Sequence, residues 1–439
     1  MAFNISSNLK SSEPTPIKRL ADRNPLREIP GGFNGPWYRC CHWLCVHVYF
    51  ERITRVHSER LAAEGPDQLT KLGGPTLYVV LHRNGAVDGF VYHQVVPLGI
   101  YLISTQLLRG FFGRLFFSGI AVARKKDEED GSHNEAALRQ CVRVLAMGGE
   151  LMVFPEGTSS LGPRHLPFKS GAARLALDAL AQGVALRIVP LGVHYERAWA
   201  FRSKVEVVVG EDIPTDLPVG LSDLGRLKEM KRRMTRALED VGCNFATPAA
   251  QEVAECLAYV ATLGSTRSYF GALKALEAGV PDVIATAWSE LQQRLGSRWV
   301  LRHQGVPLFP VGPWLGYAAL LAVLGPLVLT GALLNLPPLF AAWLAARRLA
   351  DAPNVIALWR TLVGLPLGGI WLVGMAAAIT YCAGWIGSIG YLLLTIAAIK
   401  SLYRSKKLAV AVWNGLVHRR LMIQAHVFHQ LVQQILPPL

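Results

Sequence analysis

Two long stretches of the chain carry no charged side chain. None of Asp, Glu, Lys and Arg occurs at positions 303–346 or 361–399. A membrane-spanning helix needs roughly 20 apolar residues, so the first stretch predicts a span over Trp314–Leu334. The second stretch is long enough for a tight pair of helices, with the turn near Gly384 or Gly387. A C-terminal helical transmembrane region is therefore expected.

The first stretch leaves several arrangements open. Pro337 and Pro338 interrupt it after one span, so it could form a hairpin, a re-entrant segment or a surface helix. A buried helical bundle is the alternative to membrane insertion for the whole region. Basic residues flank the second stretch, with Arg360 before it and Lys400 and Arg404 after it. The positive-inside rule then places both ends in the cytosol.

Composition indicates a chain that is part globular and part membrane-embedded. Of its 439 residues, 51% are hydrophobic and 17% are charged, and the formal net charge is +14. A basic excess indicates an anionic partner, which could be nucleic acid, anionic lipid or a phosphorylated substrate. The apolar content favours lipid and phosphate, so no nucleic-acid partner is predicted. Seven cysteines without a CxxC pair predict reduced thiols in a cytosol-facing chain.

The first fifty residues change character once. Residues 1–32 form a flexible polar lead without the apolar core of a secretory signal peptide. Residues 37–50 then mix aromatic rings with cations, which suits a helix lying at a bilayer surface. A helix packed on the globular core is the other interpretation, and both could hold together.

Residues 70–212 alternate strand-like and helix-like segments. Ser132 and Glu135 form a capping box that starts one helix, and Lys169–Gln182 reads as another. This alternation predicts an α/β fold with a mainly parallel sheet flanked by helices, and Leu221–Val241 predicts the helix that closes the domain. The predicted strands are Thr76–Leu81, Ile120–Ala123, Leu151–Phe154, Leu186–Leu191 and Val205–Val209.

A His–Asp pair follows the first predicted strand. His82 stands at the strand end and Asp88 follows within one glycine-containing loop. An imidazole there can take a proton from an attacking alcohol, and a carboxylate can fix its tautomer. By itself this spacing is a frequent coincidence in a chain with 12 histidines.

Two further segments suit an anion. After a predicted strand, Gly157 permits a tight turn with Thr158 adding a hydroxyl, and Lys169 adds a cation near a helix start. Arg124 follows another predicted strand and could bind a phosphate bidentately. Taken singly, a structural turn is the better interpretation of the first segment, and a solvated basic surface is the commoner explanation of the second.

The order of these segments resembles the four motif blocks of the glycerolipid acyltransferases. The His–Asp turn, Arg124, the Phe154-Pro155-Glu156-Gly157-Thr158 segment and a Val-Pro-Leu strand follow one another over residues 35–245. Five residues separate His82 from Asp88, whereas the commonest family pattern has four. The longer gap is similar to the fungal-type glycerol-3-phosphate acyltransferase branch.

The resemblance implies roles for these residues. His82 would be the general base on the acceptor hydroxyl, and Asp88 would orient it. Direct transfer from acyl-CoA or acyl carrier protein is implied, with no metal or redox cofactor. The predicted substrate-binding residues are Arg124, Glu156, Gly157, Thr158 and, as a helper, Lys169.

The predicted protein is an integral membrane acyltransferase with its catalytic domain on the cytoplasmic face. Its expected partners are the lipid bilayer, an acyl thioester and a glycerophosphate acceptor. Another lipid acceptor and a non-catalytic lipid-binding role stay open as alternatives, and no G-x-S-x-G elbow supports a serine hydrolase. The predicted units are the lead at 1–32, the acyltransferase domain at 33–245, a helical connector at 246–305, a membrane region at 306–400 and a basic C-terminal helix at 401–439.

Overall fold

The chain is described here from a computed structural model. It covers residues 36–61, 74–108, 110–122, 132–296 and 299–436. The predicted polar lead at 1–32 and Arg124 lie outside these described residues.

A seven-stranded sheet forms the centre of the domain, in the order β1-β7-β6-β2-β5-β3-β4. Neighbouring strands run parallel except β6 and β7, which are antiparallel. The mainly parallel sheet is therefore confirmed, and β1 and β3 are strands that the sequence did not predict. The strands are β1 (Arg52–Val56), β2 (Thr76–Val80), β3 (Ile100–Ser104), β4 (Ile120–Val122), β5 (Glu150–Val153), β6 (Arg187–Tyr195) and β7 (Lys204–Val209).

Helices account for most of the remaining described residues. A short antiparallel pair, β8 (Arg302–His303) and β9 (Val306–Pro307), precedes the apolar region. The helices are α1 (Pro36–Leu44), α2 (Val87–His93), α3 (Gly110–Phe116), α4 (Ser132–Ala146), α5 (Gly171–Ala181), α6 (Asp223–Asp240), α7 (Pro248–Thr262), α8 (Tyr269–Ala275), α9 (Asp282–Leu295), α10 (Trp314–Leu334), α11 (Leu336–Leu349), α12 (Pro353–Val417) and α13 (Arg419–Ile435).

Strand β2 shows why the sheet is covered on both faces. Successive side chains of a strand point to opposite faces, and Leu77 and Val79 enter one buried core while Tyr78 and Val80 enter the other. All five residues of β2 are buried. A continuous apolar run of this kind is typical of a parallel strand between two layers of helices.

Helix α1 packs on one of these cores. Cys41 and the following Cys45 are buried together with residues of β2 and α2, whereas Trp43 is 55% exposed. The core-packing interpretation of this segment is therefore confirmed. The structure gives no support to an interfacial location, which stays a prediction.

The segment after the sheet domain packs against it rather than standing apart. Both carboxylate oxygens of Glu206, on β7, accept hydrogen bonds from α8: Oε1 from the N–H of Tyr269 at 2.9 Å and Oε2 from the N–H of Phe270 at 2.8 Å. These are N–H groups that a helix start leaves without an internal partner. Residues of α7, α9 and α13 belong to the same buried core as β2.

The first apolar stretch forms a hairpin, one of the predicted alternatives. Helices α10 and α11 meet at Asn335. The indole N–H of Trp314, at the start of α10, donates to the carbonyl of Val412 at 3.3 Å. A side chain on Gly331, near its end, would meet Ala398. Helix α10 therefore runs antiparallel to the last part of α12.

Helix α12 folds back on itself at Gly384, as predicted for the second apolar stretch. The hydroxyl of Ser388 donates to the carbonyl of Ala376 at 2.6 Å although the two lie 12 residues apart. In a continuous helix that separation would be about 18 Å. Gly384 has φ +77° and ψ 172°, which breaks the helix there.

By length and composition, α10 and α12 are both apolar enough to cross a membrane. Only 6% of the most apolar window of α10 is buried, and none of that of α12. Helices of a soluble core would be mostly buried. The buried-bundle alternative therefore does not fit the described apolar region.

Candidate active site

The predicted catalytic residues lie where three neighbouring strands end. Strands β6, β2 and β5 are adjacent and parallel. His82 follows β2, Glu156 follows β5, and Tyr195 is the last residue of β6. Ligands of parallel α/β sheets bind at such carboxyl ends. The sheet therefore brings together residues separated by more than a hundred positions.

His82 and Asp88 form a hydrogen-bonded pair. Nδ1 of His82 lies 2.9 Å from Oδ2 of Asp88. The imidazole is 16% exposed, while the Asp88 side chain is fully buried. A carboxylate at Nδ1 accepts a hydrogen bond from the N–H of that nitrogen. The proton therefore stays on Nδ1, and Nε2 is left as the basic nitrogen. His82 lines a cavity, so the pair has the geometry of a general base with an orienting partner.

Asp88 is held by three further donors. Its Oδ2 accepts from the backbone N–H groups of Arg83 at 2.6 Å and Asn84 at 2.8 Å. Its Oδ1 accepts from the hydroxyl of Tyr195 at 2.5 Å. Burial, together with the neighbouring Asp88 carboxylate, raises the pKa of Tyr195 well above its ordinary value, so the phenol stays a donor. The carboxylate therefore cannot turn away from His82.

Gly85 explains how the longer His–Asp loop fits. Its φ is +57°, a left-handed backbone conformation that residues other than glycine rarely adopt. A Cβ there would lie 3.0 Å from the carbonyl oxygen of Asn354. The loop turns tightly beneath α12 and places Asp88 in the first turn of α2.

Glu156 braces the catalytic loop with its side chain. Its Oε1 accepts from the backbone N–H of His82 at 2.9 Å, and its Oε2 accepts from that of Leu166 at 3.0 Å. Burial raises the pKa of the Glu156 carboxyl, and these two hydrogen bonds oppose that rise. In this arrangement the carboxylate positions His82. A direct contact of Glu156 with substrate stays a prediction.

The turn after Glu156 faces the cavity. Gly157 and Thr158 line it, and Gly157 has φ +72°. The N–H of Gly157 donates to the carbonyl of Phe154 at 3.0 Å and is thus committed to the turn. Any Cβ on Gly157 would overlap Nζ of Lys169, so this ammonium lies directly beside the turn. Lys169 is itself exposed and is not among the described residues lining the cavity.

The cavity beside His82 has a volume of about 520 Å³. Volumes of this size hold drug-sized ligands. Its apolar part comes largely from aromatic side chains on α2, β3 and the end of α3, which are Phe90, Tyr101, Phe116 and Phe117. The cavity thus combines polar groups, among them His82 and Thr158, with an aromatic lining that suits a hydrocarbon chain.

The start of α12 forms another wall of the same cavity. Asn354, Val355 and Leu358 line it. The amide Nδ2 of Asn354 donates to the carbonyl of Ser159 at 3.1 Å and lies 2.7 Å from its hydroxyl. The apolar C-terminal region therefore reaches the catalytic turn directly.

Part of this site was predicted from the sequence. The structure brings His82, Asp88, Glu156, Gly157, Thr158 and Lys169 together, while Arg124 lies outside the described residues. The sequence reasoning did not identify Tyr195 or Asn354 as part of the site. Tyr195 lies four residues beyond the predicted strand Leu186–Leu191, on the extension that completes β6, and nothing near Asn354 in the sequence indicated a contact with Ser159.

The strand of Pro190 packs in the core. Val189 and Leu191 are fully buried in β6, and Pro190 is not among the described residues lining the cavity. This segment therefore belongs to the buried core of the sheet. Within the described part of the chain, no group of three or more His, Cys, Asp or Glu side chains could hold a metal ion.

Comparison with known proteins identifies the domain. Residues 45–194 match the family model described as Acyltransferase. The chain carries an acyltransferase-family domain. This match includes His82, Asp88 and Glu156, and it confirms the acyltransferase domain predicted from the order of the motifs.

Relatives of the acyltransferase domain match over short segments. The chain is 26% identical over 152 residues to a 1-acyl-sn-glycerol-3-phosphate acyltransferase of Chlamydomonas reinhardtii, covering 34% of this chain and 42% of the relative. It is 41% identical over 66 residues to glycerol-3-phosphate O-acyltransferase 2 of Saccharomyces cerevisiae, covering 15% and 9%. An uncharacterized acyltransferase of Schizosaccharomyces pombe is 31% identical over 99 residues, covering 22% and 14%. The matches thus span less than half the length of each relative.

A solved structure is also similar to the acyltransferase domain. The crystal structure of the 1-acyl-sn-glycerophosphate acyltransferase PlsC from Thermotoga maritima is 18% identical, with a TM-score of 0.32. The similarity covers 46% of this chain and 79% of that one.

Proposed function

We propose that this chain is a membrane-bound O-acyltransferase of phospholipid biosynthesis. It would move a fatty acyl group from an acyl thioester to a hydroxyl of glycerol-3-phosphate or 1-acyl-glycerol-3-phosphate. The observation that carries the proposal is the His82–Asp88 pair, held at 2.9 Å beside a cavity whose lining combines polar groups with aromatic rings. An acyl acceptor and a hydrocarbon chain require such a combination.

The proposed reaction needs one base and one acid, and His82 can supply both. Nε2 takes the proton of the acceptor hydroxyl as its oxygen attacks the thioester carbonyl. The tetrahedral intermediate then collapses with cleavage of the carbon–sulfur bond, and the imidazolium returns the proton to the departing thiol. Asp88 stabilises the imidazolium between these two steps. No covalent acyl-enzyme is formed.

Developing charge on the carbonyl oxygen requires donors at the cavity wall. One such donor is typically worth about 3–4 kcal/mol in comparable sites. Thr158 lines the same cavity as His82, so its hydroxyl and backbone are the proposed source. Lys169 beside Gly157, and Arg124 from its own segment, would attract the acceptor phosphate.

Membrane attachment would come from α10, α11 and α12. The hairpin within α12 and the hairpin at Asn335 each return to the side of the sheet domain. With Arg360 and Lys400 at the base of the α12 hairpin, the positive-inside rule places this domain on the cytoplasmic face. The acceptor phosphate would be reached from the same side.

A test uses full-length protein in detergent with an acyl-CoA and each of two acceptors. Wild-type protein should form ester on glycerol-3-phosphate or on its 1-acyl derivative, and His82→Ala should lose at least about a hundredfold in kcat. His57→Ala is the matched control, because His57 lies on the same domain and its side chain is 43% exposed. Equal ester formation by His82→Ala and wild type would remove the catalytic role.

The same assay separates the alternatives. Ester formed only on other lysophospholipids would keep the chemistry and change the acceptor. Absence of ester on every acceptor, with lipid still bound, would favour a non-catalytic lipid-binding protein on this fold. The complete geometry of the His82–Asp88 pair argues for the enzyme.

A further inference from the structure

A second large cavity lies where α10, α12 and α13 meet, away from the catalytic site. It measures about 1010 Å³ and shares no described lining residue with the cavity at His82. We call it the base groove. Its apolar wall comes from Leu308, Phe309, Tyr317, Leu320 and Leu408.

The base groove carries an excess of positive charge. Lys204, Arg404 and Lys407 line it, and no Asp or Glu is among its described lining residues. The ammonium groups of Lys204 and Lys407 lie 5.2 Å and 5.8 Å from the ring centre of Tyr403, which holds both near one spot. The nearest carboxylate is that of Glu196, 3.8 Å from Lys204, so three cations face one anion.

Apolar surface continues from the groove along α10. Gly316, Tyr317 and Leu320 of this helix line the groove, while the neighbouring Leu315 is 73% exposed. His426 also lines the groove, and its buried Nε2 has no hydrogen-bond partner among the described residues. The groove therefore offers cations and a spare polar atom beside an apolar wall that leads to the exposed face of α10.

We infer that the base groove binds one anionic phospholipid, with its phosphate between Arg404 and Lys407 and its acyl chains along α10. Basic pockets at the cytoplasmic ends of membrane helices recognise such headgroups. The inference rests on the proposed membrane attachment and is independent of acyl transfer at His82.

A free phosphate would use the groove less well. It would satisfy the cations and leave the apolar wall in water, whereas a lipid covers both. The two charges of Arg404 and Lys407 are each worth roughly a fivefold gain in binding to an anionic lipid surface. Losing both should weaken retention about thirtyfold.

The test measures lipid retained by the full-length chain. Protein is equilibrated with mixed micelles of phosphatidylcholine and phosphatidylglycerol, and bound lipid is counted by native mass spectrometry. Phosphatidylglycerol lacks a free phosphate monoester, so it does not imitate the proposed acceptors. Wild type should keep one phosphatidylglycerol, and Arg404→Gln/Lys407→Gln should lose about thirtyfold in retention.

Matched variants separate charge, shape and folding. Arg419→Gln/Arg420→Gln removes the same charge from exposed positions outside the groove and should retain the lipid. Arg404→Lys/Lys407→Arg keeps both charges and should also retain it. Gly316→Leu should expel the lipid with every cation intact, because a Cβ there meets no atom within 4 Å and the larger side chain extends into the groove.

Three outcomes would overturn the inference. The first is equal retention by Arg404→Gln/Lys407→Gln and Arg419→Gln/Arg420→Gln. The second is displacement of the lipid by millimolar inorganic phosphate, which would mark a soluble-anion site. The third is equal retention of phosphatidylcholine alone. His82→Ala should bind the lipid like wild type, so a failed acyltransferase assay would leave this result intact.

Discussion

Replacing Asp88 by Asn tests how the carboxylate acts on His82. The amide is nearly the same size, and its carbonyl oxygen can take the place of Oδ2, which accepts from His82 Nδ1, Arg83 N–H and Asn84 N–H. The NH₂ group would then face the hydroxyl of Tyr195, which can turn to accept. Because two backbone donors fix the orientation of the amide, the His82 tautomer should be preserved, and only the negative charge is lost.

The size of the effect follows from that geometry. Two unit charges about 4 Å apart interact by about 4 kcal/mol at the effective dielectric of a partly buried site. Two backbone donors already share Oδ2, and His82 is 16% exposed, so part of this is screened. We expect the activation barrier to rise by about 2–4 kcal/mol, which lowers kcat about thirtyfold to a thousandfold.

The assay is ester formation under saturating substrates, with Asp178→Asn on the exposed face of α5 as the matched control. Melting temperatures in detergent should stay close to wild type for both variants. A loss in kcat of much more than about a thousandfold would show that the tautomer is not preserved and would refute the reasoning. Unchanged kcat would show that the charge has no role.

Three further outcomes follow from the same contacts. Glu156→Gln leaves one buried backbone N–H, that of His82 or that of Leu166, facing an amide NH₂. The free energy of unfolding should therefore fall by about 1–3 kcal/mol, measured by thermal melting. An unchanged melting temperature would contradict this prediction. Asn354→Leu removes both contacts with Ser159 and should raise KM several-fold with less effect on kcat, measured by steady-state kinetics; the reverse split would refute its role in shaping the cavity. Burial lowers the pKa of His165 to about 3 in the folded chain. As the pH falls below about 6.5, the His165 imidazole is protonated in the unfolded chain but stays neutral in the folded chain. The free energy of unfolding therefore decreases as the pH falls. His165→Phe should reduce this slope by up to about 1.4 kcal/mol per pH unit, measured as unfolding free energy at pH 6.5 and 5.5, and an identical slope would exclude His165 as a contributor.

The sequence predicted best where local pattern and tertiary structure agree. The strand before His82 is buried on both faces and reads as an unbroken apolar run, and the break at Gly384 lies in a stretch that is too long for one span. Strand β1 is the opposite case. Its sequence, Arg52–Val56, reads Arg-Ile-Thr-Arg-Val, so its two apolar residues stand three apart without the alternation of a strand, and it pairs only with β7, at the edge of the sheet. Such a strand forms because a neighbour offers its free edge, which no local pattern reveals.

Contacts in the candidate site were likewise predictable from the sequence only where they are local. The proximity of His82 and Asp88 follows from a single loop, so motif and strand position were enough. The position of Glu156 also followed, whereas its bond to the N–H of His82 depends on the register of β2 against β5. Asn354 lies 195 positions from Ser159 and reaches it only because the apolar region folds back over the sheet. Contacts of that range are set by packing and leave no trace in spacing.

The helix that walls the catalytic cavity is also the helix that enters the apolar hairpin, so the proposed membrane attachment would couple the bilayer mechanically to the site. From Asn354 to the first residue of the charge-free stretch, Thr361, is about 10 Å of rigid helix. A change in membrane thickness or curvature that tilts the hairpin would therefore be transmitted to the rim above His82. Without Asn354, Val355 and Leu358 of this helix, the cavity would lose one of its walls and open to water on that side. Lipid packing itself would then be an input to how far this pocket opens.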